Sequence, residues 1–153
     1  MYKNEIYEMD ETELKAIAAK HSLVVEYYDC ETNVLNDGIR VEEYIVVAAH
    51  AAKATLIKSI FHPFFPQGVS GVVVIAESHL TIHTWPEHGY AAVDIFTCGC
   101  EASPERACDY LTKKLRARRS TTVEIKRGQF LQHHDDEVVI PLEAGIRKRS
   151  LER

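Results

Sequence analysis

The hydrophobic and polar positions along the chain alternate in a way that predicts several short strands. Residues 79–85 and 90–98 place an apolar side chain at nearly every second position, which is the period of a strand with one buried face. Residues 70–76 are apolar on both faces, which is typical of a buried central strand. Three further strands are predicted over residues 23–30, 55–65 and 121–126.

Helical periodicity and helix-start signals predict three helices. They cover residues 10–21, 41–54 and 104–119. The third has the clearest start, because Ser103 can cap it and Pro104 occupies its first position. After residue 126 the chain is polar, and we predict a tail without regular structure.

The order of these elements predicts the fold class. Several consecutive strands are joined by turns too short for a helical crossover, so they must pair antiparallel. The prediction is an α+β fold, a two-layer α/β sandwich with an antiparallel sheet and helices on one face. Helices on one side alone leave the second sheet face uncovered, and packing therefore predicts a face-to-face dimer.

Length and charge narrow the class of protein. The chain has 153 residues, 46% of them hydrophobic and 27% charged, which predicts one globular domain over residues 1–153. It has neither an apolar run of about 18 residues nor the pattern of a signal peptide, so we predict a cytoplasmic protein without a membrane partner. The net charge of −5 argues against nucleic-acid binding.

Reactive side chains are concentrated on two neighbouring predicted strands. Because alternate residues of a strand share a face, residues 79–85 would present four of them together: His79, Thr81, His83 and Trp85. The next strand would present four more: Asp94, Phe96, Cys98 and Cys100.

Three interpretations of this face compete. It can be a polar surface with hydrogen-bonded histidines and inert cysteines. It can be a zinc site made by His79, His83, Cys98 and Cys100, although the Cys-x-Cys spacing and a separation of about 13 Å between the histidines fit zinc poorly, and we predict no metal. It can also be a nucleophilic site in which His83 activates Ser78 or Cys98. No G-x-S-x-G motif surrounds Ser78.

Two segments resemble a known family. Residues 68–87 (GVSGVVVIAESHLTIHTWPE) and 90–99 (YAAVDIFTCG) are similar to the short prokaryotic S-adenosylmethionine decarboxylase proenzymes. The resemblance runs from about residue 21 to residue 128 and includes Phe61-His62 and the LND turn at 35–37. It implies a pyruvoyl-dependent enzyme that decarboxylates S-adenosylmethionine for spermidine and other polyamine biosynthesis.

The resemblance also implies self-cleavage between Glu77 and Ser78, into residues 1–77 and residues 78–153. The Ser78 hydroxyl would attack the Glu77 carbonyl to give an ester, and elimination of that ester would leave a pyruvoyl group at the new N-terminus. In this scheme His83 is the proton acceptor for processing, and Ser70 assists the same processing reaction.

The roles in turnover follow from the same resemblance. The pyruvoyl group derived from Ser78 forms a Schiff base with the substrate amine, and Cys98 donates the proton that replaces carbon dioxide. Three further side chains are implied to bind substrate: Phe64 and Trp85 against the adenine, and Glu87 on the ribose. In the family, Trp85 and Glu87 serve the neighbouring subunit, which implies a homo-oligomer, most simply a dimer. Cys100 and Cys108 match no motif of the family.

Other functions remain open from the sequence. The same chemistry on the same scaffold could decarboxylate ornithine or arginine. A regulatory paralogue could keep the fold without catalysis. The basic segments 113–119 and 147–149 could contact an acidic partner, although basic residues are also favoured at helix C-termini.

Overall fold

The fold is organised around one antiparallel sheet of seven strands. The structure is a computed structural model, and it describes residues 20–98, 101–127 and 146–152. The strands in chain order are β1 (Lys20–Tyr28), β2 (Leu56–Pro63), β3 (Val69–Ile75), β4 (Ser78–Trp85), β5 (Tyr90–Cys98), β6 (Arg119–Arg127) and β7 (Ile146–Glu152). Their order across the sheet is β2-β3-β4-β5-β1-β6-β7, and every neighbouring pair is antiparallel.

Within the described ranges, three α-helices accompany the sheet: α1 (Thr32–Leu35), α2 (Gly38–Ala51) and α3 (Pro104–Lys114). A 3-10 turn, Pro86–His88, follows β4. The start of α2 is fixed by Asp37, whose side chain accepts a hydrogen bond of 3.1 Å from the Arg40 amide. None of the helices in the described part of the chain is long and apolar enough to cross a membrane.

The core lies between the helices and one face of the sheet. Helix α2 buries residues at helical spacing, among them Val41 and Ile45, and these join one cluster with inward residues of the strands such as Ile82 and Ile95. Helix α3 contributes Leu111 to the same cluster. The predicted two-layer α+β sandwich is therefore confirmed.

The opposite face of the sheet is open. Along β4, residues that point toward the helices are buried, whereas His83 and Trp85 on the other face are exposed. Strands β3 and β5 alternate in the same way, and Asp94 is exposed on β5. The reactive side chains predicted on β4 and β5, from His79 to Cys98, thus share this open face, as the alternation of strand residues requires, and the predicted Cys100 lies outside the described residues.

Some predicted boundaries are wrong. Residues 20 and 21, predicted as the end of a helix, belong to β1, and residues 10–19 lie outside the described part. The third helix ends at Lys114 because Arg116 adopts a positive φ of 54°, which a helix cannot continue. The short helix α1, which leads into the LND turn, was not among the predicted elements. The predicted tail contains β7, which pairs along β6 through backbone groups and so needs no apolar pattern.

Candidate active site

The turn between β3 and β4 is held by Thr55. The Ala76 amide donates to the Thr55 carbonyl at 2.9 Å, and the amide and hydroxyl of Thr55 donate to the Glu77 carboxylate at 2.9 and 3.0 Å. Burial alone would raise the pKa of Glu77, but the hydrogen bonds from Thr55 outweigh it and lower that pKa below its ordinary value. The peptide bond between Glu77 and Ser78 is therefore anchored on its N-terminal side.

Ser78 begins β4 in an unusual conformation and next to an imidazole. Its φ is 156°, which residues with a side chain rarely adopt. Its Oγ lies 3.2 Å from Nδ1 of His79. The His79 ring packs edge-on against Phe96, with ring centroids 5.6 Å apart, and the Arg127 guanidinium lies 4.2 Å from the Phe96 centroid. A serine hydroxyl thus has a proton acceptor within hydrogen-bonding distance.

Ser70 and His83 form a second polar pair. They are directly opposite each other on β3 and β4, and Oγ of Ser70 lies 2.7 Å from Nδ1 of His83. The sequence predicted both residues, and the structure brings them together. His83 is five residues from Ser78 along β4, which at about 3.3 Å per residue separates them by about 16 Å. His83 and Ser78 of one protomer are therefore not in contact.

Cys98 lies at the Ser78 end of the sheet. The β4–β5 pairing begins at His79 opposite Phe96, and Cys98 is two residues further on the same face. It is a half-buried free thiol. By contrast, Cys30 is buried, and this burial raises the pKa of its thiol to about 12, so it has no thiolate character at neutral pH. Cys98 is thus the thiol available to the open face.

Cys108 lies on the other side of the sheet. The Tyr27 hydroxyl donates to the Cys108 carbonyl at 2.9 Å and also contacts its sulfur at 3.4 Å. Burial is the main reason that the pKa of Tyr27 is raised, and the neighbouring Cys108 adds to it. Helix α3 is tied to β1 through these contacts, which is a structural role. Cys100 lies outside the described residues.

A row of aromatic rings crosses the opposite end of β4. Trp85 lies 5.2 Å from Tyr90, and Tyr90 lies 5.5 Å from Tyr28 between ring centroids. The Tyr90 hydroxyl donates to Glu26, and burial together with this carboxylate raises the pKa of Tyr90. Sequence reasoning missed Tyr28 and Tyr90, although the short β4–β5 connection already places Tyr90 opposite Trp85. The row supports Trp85, which is 40% exposed.

The loop after β2 lies at this same end. The β2–β3–β4 registers place Pro63 beside Val69, and Ser70 beside His83. Phe64 is 52% exposed and contacts His62 edge-on at 4.8 Å, whereas Phe65 is fully exposed.

Gly68 allows this loop to pass close to β4. A Cβ on Gly68 would lie only 3.0 Å from the Thr84 carbonyl, and its φ of 97° is one that glycine tolerates. Glu87 lies in the 3-10 turn after Trp85 and is exposed. The loop after β2 and this turn are therefore close together in the fold.

The site residues consequently form two groups at opposite ends of β4. We call the first the cleavage end: Glu77, Ser78, His79 and Cys98. We call the second the aromatic end: Phe64, Ser70, His83, Trp85 and Glu87. Within residues 20–98, 101–127 and 146–152, no three His, Cys, Asp or Glu side chains are grouped so as to hold a metal ion.

Comparison with known proteins identifies the family of this chain. The family model for S-adenosylmethionine decarboxylase matches residues 21–128. The chain belongs to the S-adenosylmethionine decarboxylase family. The resemblance of residues 68–87 and 90–99 is thereby confirmed.

Several bacteria have proteins that are similar in sequence to this chain. The chain is 54% identical over 110 residues to the S-adenosylmethionine decarboxylase proenzyme of Caldicellulosiruptor saccharolyticus, covering 72% of this chain and 89% of the relative. It is 50% identical over 119 residues to the proenzyme of Thermotoga maritima, covering 78% and 88%. The crystal structure of the adenosylmethionine decarboxylase from Aquifex aeolicus is similar with a TM-score of 0.70 and 32% identity, covering 77% of this chain and 98% of that one.

S-adenosylmethionine decarboxylases of this family depend on a pyruvoyl group formed from an internal serine. Ser78 fits this requirement, because the peptide bond before it is anchored by Thr55 and its hydroxyl meets an imidazole. Cys98 is two residues beyond Phe96, the β5 partner of His79, on the open face. The cleavage end therefore combines a serine hydroxyl next to an imidazole, an anchored peptide bond and a nearby strand that carries a free thiol.

Proposed function

We propose that this chain is an S-adenosylmethionine decarboxylase proenzyme that cleaves itself between Glu77 and Ser78. The working enzyme then consists of residues 1–77 and 78–153 of each original chain. The observation that carries this proposal is the Ser78 hydroxyl beside an imidazole, at an anchored turn of a chain that matches the family over residues 21–128. The pyruvoyl group supplies an electron sink for loss of carbon dioxide.

Elimination of the ester must remove the Cα proton of Ser78, and this requires a base. His83 is the proposed base, and its ring is oriented by the bond to Ser70. Because Ser78 and His83 of one protomer are about 16 Å apart along β4, we propose that His83 acts on Ser78 of a second protomer.

A face-to-face dimer supplies that arrangement. The open face carries apolar side chains between its polar ends, including Ile60, Val72 and Val74, and Ile60 is 54% exposed. Burial of this surface would stabilise association. A two-fold axis that lies in the interface and perpendicular to the strands would place the cleavage end of one protomer over the aromatic end of the other, because rotation about this axis reverses the strand direction.

Substrate binding is assigned to the aromatic end. Trp85, supported by Tyr90, and Phe64 present ring faces that can stack on adenine and attract the positive sulfonium. The Glu87 carboxylate can accept hydrogen bonds from the ribose hydroxyls. Ornithine and arginine have no adenine and would leave these rings without a partner.

The proposed location is the cytoplasm. Each cysteine in the described part is a free thiol: Cys30, Cys98 and Cys108. Free thiols are typical of a reducing compartment.

The proposed function is tested by mass spectrometry and a substrate panel. On incubation the 17.4 kDa chain should divide into two fragments, the second without a free α-amine. The cleaved protein should release carbon dioxide from S-adenosylmethionine and not from ornithine or arginine, because only the first engages the aromatic end. A chain that stays intact would contradict the proposal. Release from ornithine or arginine alone would show that the substrate is wrong.

Replacing Cys98 with alanine should separate processing from turnover. Cleavage should proceed, because the Ser78 hydroxyl and its imidazole neighbour are retained, whereas decarboxylation should fall by about 10²–10⁴-fold with loss of the proton donor. The measurements are fragment mass and carbon dioxide release. Cys108→Ala is the matched control, since Cys108 lies on the helix side of the sheet. Full turnover in Cys98→Ala would rule out the thiol as donor.

A further inference from the structure

We propose that His79 accepts the Ser78 hydroxyl proton in the first step of self-cleavage, the conversion of the peptide bond into an ester. This inference rests on the proposed self-cleavage. It assigns the two steps to different histidines, the first to His79 of the same protomer and the second to His83 of the other.

The geometry singles out His79. Its Nδ1 lies 3.2 Å from the Ser78 Oγ, within reach for proton transfer. The edge-on contact with Phe96 restricts rotation of the ring, and Arg127 covers Phe96 in turn. The imidazole is therefore held toward the hydroxyl by side chains of its own protomer.

Other nearby bases are less suitable. The Glu77 carboxylate already accepts hydrogen bonds from the amide and hydroxyl of Thr55, which on balance lower its pKa and weaken it as a base. The Ser70 hydroxyl lies against His83 of the same protomer, about 16 Å along β4 from Ser78. His79 is left as the neighbouring acceptor on the chain that is cut.

The proposed step balances without any added reagent. The Oγ–H proton moves to Nδ1 of His79 while Oγ bonds to the Glu77 carbonyl carbon, closing a five-membered ring. The bond from that carbon to the Ser78 nitrogen then breaks, and the imidazolium returns its proton to this nitrogen. The products are an ester between Glu77 and Ser78 and a free amine on Ser78. Thr55 keeps the carbonyl in place throughout by holding Glu77.

The experiment isolates this step by blocking the next one. In a His83→Ala chain elimination is removed, and hydroxylamine should cleave the accumulated ester to leave a hydroxamate on Glu77. Adding His79→Ala or His79→Gln should slow this hydroxylamine-dependent cleavage by about 100-fold or more, because neither side chain can hold the proton. His50→Ala in the same background is the control, since His50 is exposed at the end of α2.

Two further measurements separate proton transfer from folding. Free imidazole should accelerate cleavage in the His79→Ala chain and not in the control, and thermal unfolding should show that the chains are folded. Cleavage of both His79 variants at the control rate would overturn the role of His79. The unsubstituted chain is incubated separately. If it did not cleave at all, the proposed function itself would fail, whatever the His79 variants showed.

Discussion

Replacing Ser78 with alanine should abolish both self-cleavage and decarboxylation. The Ser78 oxygen is the nucleophile that opens the peptide bond and the leaving group in the elimination, and no other atom of the side chain can replace it. The Thr55 contacts to Glu77 do not involve Ser78, so the turn should keep its shape. The chain should remain at 17.4 kDa, with carbon dioxide release at background.

Ser103→Ala is the control for this substitution. Ser103 precedes α3 on the helix side of the fold, and its hydroxyl donates to the Glu105 carboxylate at 3.1 Å. This variant should cleave and turn over like the original chain. If Ser78→Ala still produced two fragments, the cleavage would have another origin, such as a protease, and the pyruvoyl group would have to be sought elsewhere.

Co-expression of Ser78→Ala and His83→Ala chains should restore cleavage that neither shows alone. In a mixed dimer, the Ser78 of one protomer faces the intact His83 of the other, and this one composite site is complete. Random pairing of equal amounts makes about half of the dimers mixed, so about half of the Ser78-bearing chains should be cut. Differently tagged chains and mass spectrometry measure this fraction.

The same experiment distinguishes the two arrangements of the site. If His83 acted on Ser78 of its own chain, mixed dimers would contain no complete pair and no pyruvoyl fragment would appear. Recovery of both tags from one purified dimer shows that mixing took place. Trp85→Ala can replace His83→Ala in a second mixture, where decarboxylation rather than cleavage should be restored, because Trp85 is assigned to binding.

The strands were the most predictable part of the fold. Residues 79–85 and 90–98 alternate because one face meets the helices and the other does not, and this alternation is visible in the sequence. The end of the third helix was not predictable, since it depends on the backbone conformation at Arg116. Strand β7 was missed because its pairing with β6 uses backbone groups that every sequence has.

The candidate site also has features that the sequence predicts and features that it does not. Ser78, His83 and Cys98 were predicted from the sequence through a resemblance that the family match confirms, although their roles remain proposals. The position of His79 was predicted, but its contact with the Ser78 hydroxyl was not, because a strand pattern states which face a side chain occupies and not where its ring turns. Tyr28 was missed because it lies on a strand distant in sequence from Trp85.

The sequence by itself determined the fold class, the open face and the residue types that carry the chemistry, since these depend on local periodicity and composition. Only the tertiary structure decided which of these residues meet. The antiparallel registers bring Ser70 to His83, while the length of β4 keeps His83 away from Ser78. Pairing across a sheet is set by long-range packing and backbone hydrogen bonds. Residues that are close together in the sequence, such as Ser78 and His83, therefore belong to two separate groups in the folded chain.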